Sequence, residues 1–389
     1  MKKVTVLGGG IAGIEAAIHL KKKNFEVTLV SNRDFVYIYP ISIWIPTGEK
    51  TLKDVSIPLT ELAHQHGFQI IADEVVSIQT KENKLVFKNQ GEYTDYDYLV
   101  VALGASKLKP QGVEHTLSIC GEPQEAVMLG KRLQELVARG QGKIAIGFGG
   151  NPKDSSAVRG GPAFEVMFNI DHFLRKKQLR NKFDLVFFAP MESPGARMGS
   201  KAVETMGKMF DKLGIETHFG QKITRFEQDG VVFEDGSRLE SDLTMFISAG
   251  SGHYALKDSD LPLSPAGFLE IDDFCQVKGS DNVYAIGDVA ALSGPDWKAK
   301  QGHVAEVMAR NTAHNIATRE AGGQDFLGYE EHINILCVMD IGNGAAYIQR
   351  DNMRQKMILM PIIGHWMKKG WGLYYKLSKM GKVPRIPGM

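Results

Sequence analysis

Glycines are the first residues in the chain whose spacing implies chemistry. Gly8, Gly10 and Gly13 in "VLGGGIAGIEAA" stand at GxGxxG spacing. The first permits a tight turn, the second lets the backbone approach a pyrophosphate, and the third lets a helix pack closely on a strand. The chemistry is phosphate binding at a helix N-terminus, with Gly8, Gly10, Ile11, Ala12 and Gly13 as the candidate contacts. A second cluster, Gly147, Gly149 and Gly150, opens "GFGGNPKDSSAVRGGPAFE". There the helix is delayed by a polar, proline-containing stretch, whereas a nicotinamide dinucleotide needs a tight turn. This second turn is expected to have lost NAD(P)H binding. The three cysteines, Cys120, Cys275 and Cys337, are too few for a disulfide framework and point to a reducing compartment. Cys275 reads as a packing residue. Cys337 lies in the turn-rich "LCVMDIGNGAA" and reads as functional. For Cys120 both readings stand.

The elements around these residues form a repeated pattern. Residues 3–7 read as a buried parallel strand, 11–22 as a helix and "FEVTLVS" as the next strand, which makes a βαβ unit. The acidic residue that usually ends the second strand is missing. Ser31 stands there, followed by Asn32, and either can hydrogen-bond a ribose hydroxyl. "KIAIGFGG", "KFDLVFFAP" and "DLTMFISAG" supply strands of a second unit, whose helix begins near Pro162. The fold class is α/β: two Rossmann-like three-layer domains, the first interrupted by the second, plus a C-terminal amphipathic-helix segment. The boundaries are 1–106 with 251–325 for the first domain, 107–250 for the second and 326–389 for the C-terminal region.

Two more segments resemble known motifs. "YDYLVVALGA" (96–105) and "NVYAIGDVAAL" (282–292) are similar to the second and third flavin-contacting motifs of two-dinucleotide-binding flavoproteins. That resemblance implies FAD. Asp288 would meet the ribityl chain and the pyrophosphate, and Val75, Ala102, Gly104, Gly287 and Gly302 would join the contacts. Asp288 also reads as the N-cap of a helix beginning near Val289.

Along essentially its whole length the chain resembles the sulfide:quinone oxidoreductase and flavocytochrome c sulfide dehydrogenase group. The matching pieces are "VTLVSNRDFVYIYPISIWIPTG", "SICGEPQEA", "RGGPAFE", "KAKQGHVAEVMARNTAHNI", "LCVMDIGNGAA" and "HWMKKGWGLYYKLSKMGK". Enzymes of that group take two electrons from sulfide through a cysteine pair beside FAD and pass them to a quinone or a haem partner. The resemblance assigns Cys337 to one member of the pair and puts Arg159 where the other would stand. Cys120 corresponds to a cysteine sometimes linked to the flavin. Family histidines are replaced near Gln124 and in "SPGARMG". With Arg159 in place, a sulfur bridge cannot form at the usual position. Arg159 is expected instead to lower the pKa of Cys337 and attract an anion such as hydrosulfide. Glu165 matches a family acid and reads either as a proton relay or as an acid favoured by the helix dipole. Lys300 is expected beside the flavin or quinone, where a cation stabilises the reduced anionic flavin, or else as a solvated lysine. No metal site is assigned.

The tail has its own character. From Met353 onward it holds eight of the 46 basic residues and none of the 45 acidic ones, so the remaining chain is net acidic. At 100° per residue, Met367, Trp371, Tyr374 and Ser378 share one side, continued by Trp366, Gly370, Leu373 and Leu377. Lys368, Lys369, Lys376 and Lys379 take the opposite side. Such a helix suits a membrane interface, with its lysines toward an anionic surface; the alternative is packing on the protein's own core or a dimer partner. Trp371, Tyr374, Tyr375 and Lys368 are the quinone and membrane candidates, Trp371 because the resembled family places an aromatic residue against the quinone ring.

The expected function is electron transfer from a small reduced sulfur species through FAD to a membrane quinone. Peripheral attachment to the cytoplasmic face of a bacterial inner membrane is expected, with no signal peptide, no nucleic-acid partner and a homo-oligomer open. The alternatives are a type II NADH:quinone dehydrogenase, a flavoprotein subunit docking on a protein acceptor, and a catalytically idle FAD-binding relative.

Overall fold

The computed structural model describes residues 1–385. Strand β1 (Lys3–Leu7) runs into helix α1 (Ile11–Lys22), and β2 (Glu26–Ser31), β3 (Gln69–Ala72) and β4 (Tyr98–Val101) follow. β1, β2 and β4 are nearly continuous apolar runs with buried residues on both faces, the signature of parallel strands covered by helices. The second unit contains β5 (Gly142–Phe148), helix α2 (Gly161–Lys176), β6 (Phe183–Ala189), β7 (Glu216–Phe219) and β8 (Leu243–Ile247). Its parallel sheet has the order β7-β6-β5-β8. The chain then returns, and β9 (Val283–Ala285) completes the first sheet as β9-β4-β1-β2-β3, again all parallel. The second unit is therefore an insertion between two halves of the first.

Helix α3 (Gly302–Glu320) packs beside α1 across the first sheet. Beyond it, β10 (Ile335–Asp340), β11 (Gly344–Arg350) and β12 (Gln355–Pro361) form an antiparallel meander. Helix α4 (Ile363–Lys379) ends the described fold and packs on β10 to β12.

Two expectations are corrected here. No helix begins at Val289. Gly287–Val289 is one 3-10 turn followed by the two-residue strand Ala290–Ala291, so Asp288 caps no helix and the long helix waits until Gly302. The α4 lysines do not form a solvated face either. Lys368 and Lys379 are buried, and the outward side carries Ile362, Ile363, Trp366, Met367 and Leu373, with Trp366 65% and Leu373 61% exposed. The apolar arc and the lysine arc are real, but the helix is docked lysine-side in.

Candidate functional site

The phosphate cradle is built by close approach. Gly8 has φ +112°, and a Cβ there would lie 2.3 Å from the Ala102 carbonyl oxygen. A Cβ on Gly13 would lie 1.8 Å from the Gly8 oxygen, whereas Gly10 faces open space within 4 Å. Only glycine fits the first two positions, and the third leaves room for a ligand at the start of α1. That start has no side-chain cap and no acid in its first turn, so its N–H groups are free for an anion. Gly287, at φ +72°, brings the Asp288 turn against Ala12, and the Gly302 start of α3 lies against Ile11. Three sequence-distant motifs thus meet at one helix end. The Ala102 N–H donates to Leu7 O at 2.7 Å, and Gly104 takes φ +74° with open space beside it. Val75 is buried at the start of a separate antiparallel sheet.

Ser31 spends its hydroxyl locally, donating to Arg33 O at 2.7 Å and accepting from Arg33 N at 3.2 Å. Of the two ribose candidates, exposed Asn32 keeps its side chain free for a ligand more readily than Ser31. Sequence reasoning passed over the residue next to them. Arg33 has a buried Nη1 without a hydrogen-bond partner, an orphaned donor beside the cradle. These features fit a dinucleotide at α1.

The second glycine turn is different. Between β5 and α2 the chain makes a loop, 149–160, holding a 3-10 turn at Ser155–Ala157. Asn151 Nδ2 donates to Gly250 O at 2.8 Å, and Asp154 accepts from the Ser156 N–H at 2.8 Å. Arg197 Nη1 donates to Ser155 O at 2.9 Å, its Nη2 to Val158 O, and the Lys300 N–H donates to Ser156 O at 3.2 Å. The loop is strapped down from outside by the Arg197 side chain and the Lys300 backbone N–H.

At its end, Arg159 pairs with Asp288. Arg159 therefore lies against the third motif of the first unit. Its charge reaches Cys120 and Lys107 and does not act on Cys337, which corrects the expectation for that thiol. Burial pushes Cys337 up to about 12, the negative charge of Glu165 adds to this, and Lys368 opposes it. Burial also raises Cys120, while Arg159 and Lys107 pull it back. Lys107 was not legible as a site residue; burial and the nearby Arg159 lower it to about 8. Cys275 is fully buried in the core, as expected of a packing residue.

Lys300 is not a solvated lysine. It is buried, its Nζ donates to Ala290 O, and it lies 3.9 Å from the Phe268 ring centroid. Burial lowers it to about 7, with Asp154 opposing. Glu165 is no free helix-end acid: it pairs with Lys368 of α4 and accepts from the Asp340 N–H at 2.7 Å. Burial raises its carboxyl and Lys368 pulls it back.

These contacts bring the N-terminal motifs, the strapped loop and the C-terminal meander to one place. Residues 2–315 match the pyridine nucleotide-disulphide oxidoreductase family. The chain belongs to that family. Among curated relatives it is 27% identical to the sulfide-quinone reductase of Aquifex aeolicus, over 96% of this chain and 90% of that protein. It is 24% identical to the type II NADH:quinone oxidoreductase of Staphylococcus epidermidis, over 95% and 98%. The crystal structure of the sulfide:quinone oxidoreductase from Aquifex aeolicus superposes with a TM-score of 0.87 at 23% identity, covering 98% of this chain and 92% of that one, which shows the shared fold. The protein is an oxidoreductase of this family with a C-terminal meander and helix beyond the family match.

The quinone candidates on α4 divide. Tyr375 is buried, Trp371 is half-buried with its ring 5.2 Å from Tyr375, and Lys368 points inward to Glu165. Tyr374 is half-buried to one side. The outward apolar surface is instead Trp366, Met367 and Leu373 with Ile362 and Ile363, extended by Ile358 and Leu359 of β12. Among the described residues no helix is long and apolar enough to cross a membrane, and no His/Cys/Asp/Glu group could hold a metal ion.

Proposed function

We propose that the protein is an FAD-dependent oxidoreductase of the sulfide:quinone oxidoreductase type. It takes two electrons from an anionic reduced sulfur species and passes them to a membrane quinone. The observation that carries the donor side is the 149–160 loop, strapped by Arg197 and Lys300 where a pyridine nucleotide would need an open glycine turn. Gly8, Gly10, Gly13 and Asp288 would hold the FAD, which supplies two-electron storage when bound. Lys107, Arg159 and Lys300 gather positive charge on the Cys120 side, where an anion such as hydrosulfide is drawn in. Cys337 sits with Glu165 and Lys368, and Glu165 acts on Cys120 too. Oxidising hydrosulfide at a lone thiol forms one S–S bond, releases one proton and two electrons, and leaves a persulfide. The relatives that reduce quinones support the acceptor, and the exposed apolar surface of α4 supports a lipid-side approach to it.

A second reading, NADH:quinone oxidoreduction, is favoured by several relatives of that type, among them those of Staphylococcus epidermidis, Mycobacterium tuberculosis and Haemophilus influenzae. Anaerobic titration of the yellow protein separates them. Sulfide is expected to bleach the flavin band with one equivalent per FAD, and NADH to leave it unchanged. Rapid bleaching by NADH would overturn the assignment. In Cys337→Ser, sulfide bleaching is expected to slow at least tenfold; an unchanged rate rules out Cys337 as the sulfur acceptor.

A further inference from the structure

We infer that Arg197 is a positioning residue that sets Arg159 and Lys300 for capture of the anionic donor. The inference deepens the sulfur-donor reading above and rests on it. Arg197 lies in the loop after β6 and acts through the backbones of two other segments. Its Nη1 donates to Ser155 O at 2.9 Å and to Lys298 O at 3.2 Å, and its Nη2 donates to Val158 O. Val158 directly precedes Arg159, and Lys298 stands two residues before Lys300. One guanidinium thus ties together two stretches of chain that each lead into a donor-side cation.

The same two stretches meet again on the inner side. The Lys300 N–H donates to Ser156 O at 3.2 Å. Arg159 pairs with Asp288 and Lys300 Nζ donates to Ala290 O, so both cations are held on the 287–291 turn. Asp154 is the acid between them and Arg197. Its carboxylate accepts from the Ser156 N–H at 2.8 Å and the Ser156 hydroxyl at 2.6 Å, and its charge reaches both Lys300 and Arg197. Arg197 is itself fixed from the opposite direction. Gly195 at φ +89° and Gly199 at φ +103° bracket its 3-10 turn, and Arg350 Nη1 donates to Arg197 O at 2.8 Å and to Ala196 O at 3.1 Å. The Arg350 guanidinium lies 5.2 Å from the ring of Trp297, the residue before Lys298.

Joining loops does not by itself require a buried cation. Burial lowers Arg197 to about 10, and its hydrogen bonds all go to backbone carbonyls, which return less than a paired carboxylate would. What arginine adds is a rigid fork of donors that fixes three oxygens at once. The need for it lies in the cations it serves. Arg159 and Lys298 both act to lower Lys300, so these like charges oppose being gathered. A tie on their backbones keeps the charges together before any anion arrives, and an anion then meets a site that needs no rearrangement.

The test uses FAD-loaded protein and two anions. Hydrosulfide is read by anaerobic stopped-flow bleaching of the flavin band, and thiocyanate, a non-reducing anion, by its equilibrium perturbation of the flavin spectrum. In Arg197→Ala and Arg197→Lys alike, the half-saturating sulfide concentration and the thiocyanate Kd are expected to rise about tenfold, with the limiting bleaching rate kept within about twofold. Arg350→Gln is expected to shift both in the same direction by less. Millimolar guanidinium is expected to restore binding in Arg197→Ala and not in Arg197→Lys. Wild-type affinity in Arg197→Lys overturns the inference, because charge without the fork would then suffice. Unchanged affinity in Arg197→Ala overturns it too, as does loss of FAD from either variant, which marks a merely structural role. Wild-type protein that sulfide does not bleach overturns the donor reading, and the thiocyanate affinities still decide the role of Arg197.

Discussion

Lys300 shows how a single residue can oppose folding for the sake of a site. Its ammonium group is buried against Phe268 with one carbonyl partner, Ala290 O. Burial lowers its pKa from the usual 10.5 to about 7. Between those values the unfolded chain binds more protons than the folded one, so this residue's penalty is full below pH 7 and fades as pH rises toward 10.5. Lys300→Met is therefore expected to stabilise the apoprotein, with a gain larger at pH 6 than at pH 9 by roughly 2 kcal/mol. Thermal unfolding of the apoprotein at both values checks it, and an equal gain at both would show that the lysine stays protonated in the fold throughout. On the proposed placement of Lys300 beside the flavin, the same change in the holoprotein removes a positive charge there. At this scale the sequence exposed residue types better than partners. Gly8 and Gly13 could be read from motif spacing, and Asp288 was singled out by the resemblance of its segment to a flavin-contacting motif. The Arg159–Asp288 pair could not, because it joins a loop of one sheet to a turn of the other. Arg33 and Lys107 escaped for a related reason: each matters through what surrounds it, and no local pattern encodes that.

Helix α4 is the element whose outline was legible and whose orientation was not. A 100° wheel separates apolar from lysine residues correctly, but water is usually assumed to take the charged side. Here the lysine side meets carboxylates: Lys368 with Glu165, Lys369 with Glu49, Lys379 with Glu15 and Glu306. The lysine arms reach down into the fold with their hydrocarbon stems packed, and Gly372 lets the helix close on Ile41. That docking turns Trp366, Met367 and Leu373 outward beside Ile362 and Ile363. This apolar patch continues into β12 residues Ile358 and Leu359, and the membrane docking proposed above assigns it to a bilayer interface. Trp366→Glu with Leu373→Glu is expected to abolish flotation with lipid vesicles while leaving the flavin spectrum and ferricyanide reduction intact. If the double variant floats as the wild type does, the membrane contact lies elsewhere. The helix start at Gly161 after the interrupted second turn was, by contrast, readable in advance, because glycine and proline punctuate the backbone directly.

Across the whole molecule, the split between an acidic body and a basic tail has an internal explanation. The anionic surface that the tail meets is in large part the protein's own: Glu15 on α1, Glu49 before the first sheet closes, Glu165 on α2 and Glu306 on α3. One helix thus ties together α1, α2 and α3 through buried ion pairs. Burial alone would raise Glu15, yet His19, Lys379 and Arg385 together hold it well below the usual carboxylate range. Such a group contributes stability above its unfolded pKa and loses it as pH falls through its folded pKa. Replacing both Lys368→Met and Lys379→Met keeps the hydrocarbon cover and strips the cations. Glu165 then loses the cation that pulls its buried carboxyl back, and its pKa, already raised by burial, rises further. The double variant is expected to lose about 3–5 kcal/mol per broken pair at pH 8 and to recover stability as pH falls toward 5, where protonation removes the uncompensated charge. The wild type should show a smaller recovery over that range. Urea midpoints and FAD retention measured at pH 5 and pH 8 decide it: parallel pH dependence in the two proteins would mean that the tail is held by apolar packing, and that its lysines merely lie near the carboxylates.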